Sequence, residues 1–387
     1  MKKRKILYCT TVDYHLKAFH LPYMKWFKEH GWDVDVVASG DLDLPYTDNK
    51  YNIPIQRSPF NRKNLAAYRQ IKRIIEENHY AIIHCHTPLG GVLGRLAARQ
   101  ARKYGTKVIY TAHGFHFYKG GPLINWLLYY PIEKLLARLT DSLITINTED
   151  FTIATKRRFN VNEIVQIPGV GVDTEQFKPI NKQEQIRLKR SFGYEDDDFL
   201  LFNAAEFNKN KNQAFLIHAL ALLKDEVPNV KLLLAGEGPL LASCRELAQQ
   251  LGISHMVEFL GFRKDIQTII VLCDVAVASS YREGLPVAVM EAMACGLPVV
   301  AVDNRGHREL IQDDYNGWLN TVDDPQAFAN KLTMLATIQD LPEQFGKKSR
   351  QLMVKKYSTK KVLREKSRLY QQYMDEQGET TWGNKAE

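Results

Sequence analysis

Short apolar runs rich in valine, isoleucine and leucine recur along this chain, each followed by a longer stretch of helical pattern. KILYCTT, DVDVVAS, AIIHCHT, KVIYTAH, SLITIN and EIVQIPG occupy the first half, and FLLFNAAE, VKLLLAG, VEFLG, VAVASS and PVVAV the second. A strand that is apolar on both faces is buried on both. Strands that alternate with helices pair parallel, because the crossover helix returns the chain to the end where the previous strand began. The pattern therefore predicts an α/β protein of two doubly wound domains. Residues 1–175 form the first, residues 176–357 the second, and the join falls within VGVDTEQFKPINKQEQ. Residues 358–387 hold a last helix, STKKVLREKSRLYQQYM, and a polar tail, DEQGETTWGNKAE, expected to be disordered. At 387 residues the chain is long enough for two domains of ordinary size.

Ligands of open parallel sheets bind beyond the carboxyl ends of the strands, so the loops there carry the chemistry. The most informative is SSYREGLPVAVMEAMACGLPVVA, residues 279–301. Pro286 suits the first turn of a helix, where its missing N–H costs nothing. Gly296 and Pro298 stop that helix. Glu283 lies in the loop before it and Glu291 on the helix itself. The N–H groups of Gly284, Leu285 and Val287 point out of the helix N-terminus, which favours an anion such as a phosphate. Two carboxylates, acceptors suited to sugar hydroxyls, thus flank an anion cradle. Two glutamates seven residues apart arise easily by chance, and it is the context that makes them specific.

That context, REGLPVAVMEAMACGLPVVA, closely resembles the E-x7-E signature of the retaining nucleotide-sugar glycosyltransferases of family 4. Their fold is GT-B, two Rossmann-like domains facing across a cleft, with the C-terminal helix crossing back to the first. The resemblance covers most of the chain. IPGVGVDTEQFKP is similar to the family's linker motif. LLLAGEGPL resembles its Gly-x-Gly loop, which would bring the backbone at Gly236 and Gly238 close to a diphosphate, although a Gly-x-Gly alone marks only a tight turn. VEFLGFRKDI resembles the loop at the nucleobase, near Phe262 and Arg263. YTAHGFHFYKG places His113 and Gly114 where the family has a His-Gly approaching the donor sugar and acceptor, with His116 close by. CTTVDYH stands in place of the family's usual Gly-rich loop after the first strand, and Thr11, Asp13 and His15 are the candidates there for the acceptor side. AAEFNKNKNQ departs further from the family. Lys211 fits the expected diphosphate lysine, but Glu206 stands where an arginine is expected, leaving Lys209 or Arg263 to supply a second positive charge. HGFHFYKGGPLINWLLYYPIEKLLARL brings the match closest to transferases that build bacterial exopolysaccharide or capsule repeat units.

The resemblance implies transfer of a hexosyl or N-acetylhexosaminyl group, with retention, from a nucleotide diphosphate (a uridine one by the family's habit) to a saccharide acceptor linked to a lipid diphosphate. Glu291 would bind the ribose, Glu283 the transferred sugar, and Lys211 with the helix N-terminus the departing diphosphate. His113 would orient the sugar or acceptor. Neither a metal nor a cofactor is expected, because protein groups supply the positive charge. His84 and His86 share one face of a strand and Cys85 the other, and they read as core-edge histidines rather than metal ligands. Two alternatives remain open: a nucleotide-sugar epimerase of the same fold, and a non-enzymatic polysaccharide- or lipid-binding protein. The lack of a G-x-G-x-x-G after the first strand argues against a dehydrogenase.

Charge adds a partner. Of the net +8, the stretch 50–140 holds 15 Lys and Arg against 3 Asp and Glu. No nucleic-acid-binding motif accompanies it, so the expected partner is the anionic inner face of the cytoplasmic membrane, met peripherally. Arg62, Lys63, Arg69, Lys72 and Arg73 would lie on one helix, and Arg95, Arg99, Arg102 and Lys103 on the next. Trp126, Tyr129 and Tyr130 would sit at headgroup level. No apolar run is long enough to span a bilayer or to form a signal-peptide core. Five cysteines without a C-x-x-C pair suggest reduced, buried thiols in a cytoplasmic protein.

Overall fold

The computed structural model describes residues 4–56 and 58–383 and forms two compact units. The first takes the chain to Val170 and resumes at Val362; the second runs from Gly171 to Lys361. Each contains one parallel sheet. In the first unit β1 (Lys5–Val12), β2 (Asp33–Ser39), β3 (Asn49–Asn52), β4 (Ile82–His86), β5 (Lys107–Ala112), β6 (Ser142–Thr145) and β7 (Glu163–Gln166) stand in the order β3-β2-β1-β4-β5-β6-β7. In the second, β8 (Phe199–Ala204), β9 (Val230–Ala235), β10 (Val257–Gly261), β11 (Val275–Ala278), β12 (Val299–Val302) and β13 (Gly317–Asn320) stand in the order β10-β9-β8-β11-β12-β13. These are Rossmann-like, doubly wound sheets, and each reverses its winding once, between β1 and β4 and between β8 and β11. A crevice opens at that point at the strands' carboxyl ends.

Every apolar run read as a strand is one. The two strands not foreseen, β3 (NKYN) and β13 (GWLN), are four-residue edge strands. An edge strand has one neighbour and needs little apolar sequence, so it lacks the run that marks a buried strand.

The period-two alternation of β1 sorts the core of the first unit. Leu7 and Cys9 join Ile71, Ile83, Cys85 and Tyr110 on one face, while Ile6 and Tyr8 join Phe27, Ile82 and Ile109 on the other. The second face is closed by the C-terminal helix Thr359–Gly383, which contributes Val362, Leu369, Tyr370, Tyr373 and Met374. Tyr370 Oη lies 2.8 Å from His84 Nδ1, and His84 Nε2 lies 2.8 Å from Thr111 Oγ1. His84 is thus a hydrogen-bonded core residue on the face opposite Cys85. The helix also runs through residues 375–383, where disorder was expected; residues 384–387 of that tail lie outside the described residues. Tyr373 and Met374 hold the last core turn, and adding residues to an existing helix is far easier than starting one.

Candidate functional site

Lys211 follows β8 and Glu283 follows β11, so the two loops flank the crevice of the second sheet. Lys211 Nζ lies 2.6 Å from Glu283 Oε1, both side chains partly buried. The loops are stitched by their backbones. Tyr281 N–H donates to Asn210 O (2.8 Å), Asn210 Nδ2 to Arg282 O (2.9 Å) and Ser279 Oγ to Lys211 O (2.8 Å). A third loop, after β12, supports Glu283 from behind: Arg305 Nε donates to its carbonyl at 3.1 Å. Gly306 packs so closely that a Cβ there would stand 2.7 Å from the Cβ of Glu283. Lys211, Glu283, Pro286, Val289 and His307 line a small cavity at this point.

The helix after Glu283 spans Val287–Ala294, with Pro286 as its N-cap, one position earlier than the sequence suggested. Proline offers no capping oxygen, and among the described residues no side chain caps this helix, which leaves its first-turn N–H groups without a capping side chain. Gly284 and Leu285 lead into it from the loop. Glu291, one turn on, is half-buried, and among the described residues its carboxylate has no hydrogen-bond or ion-pair partner. Burial pushes its pKa up from 4.5 to about 7. An unpartnered buried carboxyl is costly to the fold, and a ligand hydroxyl would relieve it.

Other candidates are placed differently from expectation. The N–H of Gly236 donates to Gly261 O at 2.8 Å and is committed inside the fold, not offered to a diphosphate. Gly236 and Gly238 have φ of +138° and +149° and press on the backbone at Ala205 and Phe207, where a Cβ would come within 2.1 and 2.5 Å of the carbonyl oxygens. They shape the loop by close approach. Arg263 is held bidentately by Asp265, at 2.9 and 2.7 Å, so its charge is already matched; Phe262 beside it is exposed. Glu206 is exposed and accepts from Asn208 Nδ2 (3.0 Å). Lys209 is exposed and lines a separate depression with Tyr281, Gln213 and Leu240. The nearby charge that sequence reasoning missed is Arg305, almost fully buried. Its signal was available: an arginine three residues beyond the end of the buried strand PVVAV, where a ligand loop begins.

In the first unit the crevice between β1 and β4 gathers histidines. His15 Nε2 lies 3.3 Å from His113 Nε2 and 3.2 Å from His20 Nε2, and His86 Nδ1 lies 3.2 Å from His113 Nε2. His113 and His15 are thus brought together, but with His20, which was not singled out, and His86, which was set aside as a core-edge residue. Burial holds all four neutral, with His15 pushed down to about 4. The remaining acceptor-side candidates are structural. Asp13 accepts from Lys50 Nζ (2.7 Å) and Leu42 N–H (2.8 Å). Thr11 Oγ1 lies 2.8 Å from Thr87 Oγ1 and accepts from Gly90 N–H (3.2 Å). Gly114, with φ of +127°, turns the chain after His113, and the His116 ring packs on Tyr129 at 4.6 Å between centroids.

The presumed membrane face is rearranged. Arg95 is buried, paired with Glu133 at 2.8 Å and stacked 3.8 Å over Tyr110, so it cannot meet a membrane. Arg102 pairs with Asp141 at 2.8 Å. Trp126, Tyr129 and Tyr130 turn inward onto the core. Helix Leu123–Leu136 instead exposes aliphatic residues: Leu123, Ile124, Leu127, Leu128, Ile132 and Leu135. The aromatics are the larger apolar groups and take the core side, which leaves leucine and isoleucine outside. No helix among the described residues is long and apolar enough to cross a membrane.

Two doubly wound sheets with a charged loop pair at the second crevice define a class, and the comparisons agree. Residues 184–352 match the family described as Glycosyl transferases group 1, and residues 5–147 match Glycosyl transferase 4-like. The chain belongs to the family 4 glycosyltransferases, of GT-B fold. It is 52% identical over 372 residues to EpsD of Bacillus subtilis (strain 168), a protein named as a glycosyltransferase, covering 96% of this chain and 97% of that one. It is 28% identical over 275 residues, 70% of each chain, to the UDP-Gal:alpha-D-GlcNAc-diphosphoundecaprenol alpha-1,3-galactosyltransferase of Escherichia coli. Among solved structures it resembles Anabaena HepE in complex with UDP and glucose, with a TM-score of 0.78 at 20% identity over 95% of this chain and all of that one.

Glu291 supplies a test through stability. A carboxyl harder to ionise in the folded chain costs nothing below its unfolded pKa; the penalty grows as pH rises from about 4.5 to about 7 and is constant above. Glu291→Gln is therefore expected to stabilise the protein more at pH 8 than at pH 5, by roughly 1–3 kcal/mol in chemical denaturation. An equal effect at both pH values would mean the carboxyl ionises normally.

Proposed function

We propose that this protein is a retaining glycosyltransferase that moves a hexosyl or N-acetylhexosaminyl group from a nucleotide diphosphate sugar, a UDP sugar by its relatives, to a saccharide carried on a lipid diphosphate in exopolysaccharide or capsule synthesis. The observation that carries this reading is the Lys211–Glu283 pair beside an uncapped helix N-terminus at the crevice of the second sheet. The acceptor class is supported by the E. coli relative, whose name specifies a diphosphoundecaprenol-linked sugar.

In this reading the second unit binds the donor. Lys211 and the first-turn N–H groups of helix Val287–Ala294 meet the diphosphate, and Glu291 accepts from the ribose hydroxyls. Glu283 accepts from the hydroxyls of the transferred sugar. As the bond from the anomeric carbon to the diphosphate oxygen breaks, negative charge grows on that oxygen. Groups already aimed there stabilise it without rearrangement, commonly a large term in catalysis. Arg305 positions Glu283 by holding its carbonyl. Retention means that the acceptor oxygen bonds to the face the diphosphate leaves. His113, in the first unit, orients the acceptor or sugar through Nδ1, since its Nε2 faces His15 and His86.

These roles separate in kinetics. Lys211→Ala is expected to weaken UDP binding by about 10-fold or more, the scale of a lost charge-assisted contact, while Glu206→Ala leaves it unchanged. Glu283→Ala should lower turnover more than donor affinity, and Glu291→Ala the reverse. With protein groups neutralising the diphosphate, activity should not rise on adding Mg²⁺ or Mn²⁺. A strict requirement for either ion, or a larger loss in Glu206→Ala than in Lys211→Ala, would contradict the assignment.

A lipid-linked acceptor brings the enzyme to the inner face of the cytoplasmic membrane, and the aliphatic face of helix Leu123–Leu136 is its anchor in this proposal. Basic residues of helix Lys63–Asn78 add about 1 kcal/mol each near an anionic bilayer, and each buried leucine about 1.5–3 kcal/mol. Co-sedimentation with anionic vesicles is expected to fall in Leu123→Glu/Leu127→Glu, and with rising salt in the wild type. Sedimentation untouched by the double change would move the anchor elsewhere.

A further inference from the structure

The histidine cluster of the first unit has a geometry that hydrogen bonding does not account for. His15 sits on helix Asp13–Phe19, His20 at the corner that follows it, His86 at the end of β4, and His113 directly after β5. Their four ring nitrogens form a chain of close contacts: His20 Nε2 to His15 Nε2 (3.2 Å), His15 Nε2 to His113 Nε2 (3.3 Å), and His113 Nε2 to His86 Nδ1 (3.2 Å). Each nitrogen of a neutral imidazole carries either one proton or one in-plane lone pair. If the middle contact is a hydrogen bond, the nitrogen that donates has spent its proton and has no lone pair for its outer neighbour. If it is not, two lone pairs or two protons face each other. The three contacts cannot all be linear hydrogen bonds. Nor are the rings held from outside: the other nitrogens of the two fully buried members, His20 Nδ1 and His86 Nε2, are buried with no partner among the described residues.

One occupant satisfies all four at once. A tetrahedral zinc-type ion with Zn–N near 2.0–2.1 Å spaces its ligand nitrogens about 3.3–3.4 Å apart. The three close contacts have that spacing, and all four ligand atoms lie within 4.8 Å of one another. Closing the widest separation takes no more than about 1.5 Å of side-chain movement. We propose that His15, His20, His86 and His113 form a binding site for a divalent transition metal of the zinc class, tying the turn after β1 to the ends of β4 and β5. Neutral imidazole alone, with no carboxylate or carbonyl among the ligands, selects zinc, nickel or copper over magnesium and calcium. The site therefore differs in chemistry from a diphosphate-bound Mg²⁺. Lys366 adds to the burial that lowers the pKa of His15, His20 and His113; burial pushes its own pKa down to about 7, and its Nζ lies 4.1 Å from the centre of the Tyr23 ring.

The test uses untagged full-length protein, stripped with EDTA and dialysed. Zn²⁺ added in calorimetry is expected to bind at one equivalent per chain and to raise the unfolding temperature, since a ligand of the folded state stabilises it by mass action; Mg²⁺ at the same concentration should do neither. Co²⁺ in place of Zn²⁺ should give the intense visible absorption of a tetrahedral site. His20→Gln and His86→Gln should each lower Zn²⁺ affinity by about 10-fold or more, since even a lost partner of a metal ligand costs that much. His15, partly exposed on its helix, is the variant that keeps its fold if the buried ones do not, and His15→Gln should lower affinity in the same way. Absence of stoichiometric Zn²⁺ binding, or binding unchanged in His15→Gln with a native circular dichroism spectrum, overturns the proposal.

Discussion

A parallel sheet leaves its chemistry nowhere to go but the loops at one end, and the Lys211–Glu283 ion pair shows what that constraint produces. The two residues are far apart in the chain, and each belongs to a loop with no regular structure of its own. They meet at 2.6 Å because β8 and β11 are neighbours at the place where the winding reverses. The pair is only partly buried, so its contribution to stability is small once screening by solvent is counted. Its importance is geometric. A lysine held beside a carboxylate is fixed in position before any ligand arrives, and in the proposed function a diphosphate, with more charge to offer, competes for the same ammonium.

Glu291 follows the same logic with the opposite sign. Nothing in the fold rewards its burial, and its raised pKa records the cost. A stable protein tolerates such a residue where a ligand supplies the missing partner. In the first unit the histidine cluster stands at the corresponding crevice. There, too, polar groups are collected that the fold alone does not satisfy. On the two proposals made above, both sheets carry an incomplete site where their winding reverses, while the rest of each sheet is conventional core.

Much of this was legible in the sequence, and the exceptions share physical causes. Buried central strands announce themselves by composition; β3 and β13 did not, because an edge strand does not need it. Glu283 could be placed in a loop and Glu291 on a helix because helix punctuation at Pro286 and Gly296 fixed the frame around them, whereas Lys211 was picked out only by the resemblance of AAEFNKNKNQ to the family. Gly236 was readable as a special backbone position, but which carbonyl its N–H would meet depends on β10, distant in sequence. Asp13, Thr11 and Arg95 were taken for surface or ligand groups, since the ion pairs and hydroxyl contacts that occupy them join segments far apart in the chain. The aromatics of INWLLYYP faced inward for a related reason: helical periodicity defines two faces without saying which one meets the core when both are apolar. His20 and His86 could not be linked to His15 and His113 until the strand order was known.

The central claim is that Lys211 is held ready for the donor diphosphate by Glu283, and it is most directly tested by the coupling between the two residues in UDP binding. Calorimetric affinities for UDP are measured for the wild type, Lys211→Met, Glu283→Gln and the double variant. If the diphosphate takes Lys211 from Glu283, Glu283→Gln alone binds UDP at least as tightly as the wild type, and that effect disappears when Lys211 is already Met, a non-zero coupling. Additive losses in the two single variants would contradict the account, because they would mean that Lys211 and Glu283 act on the nucleotide independently of each other.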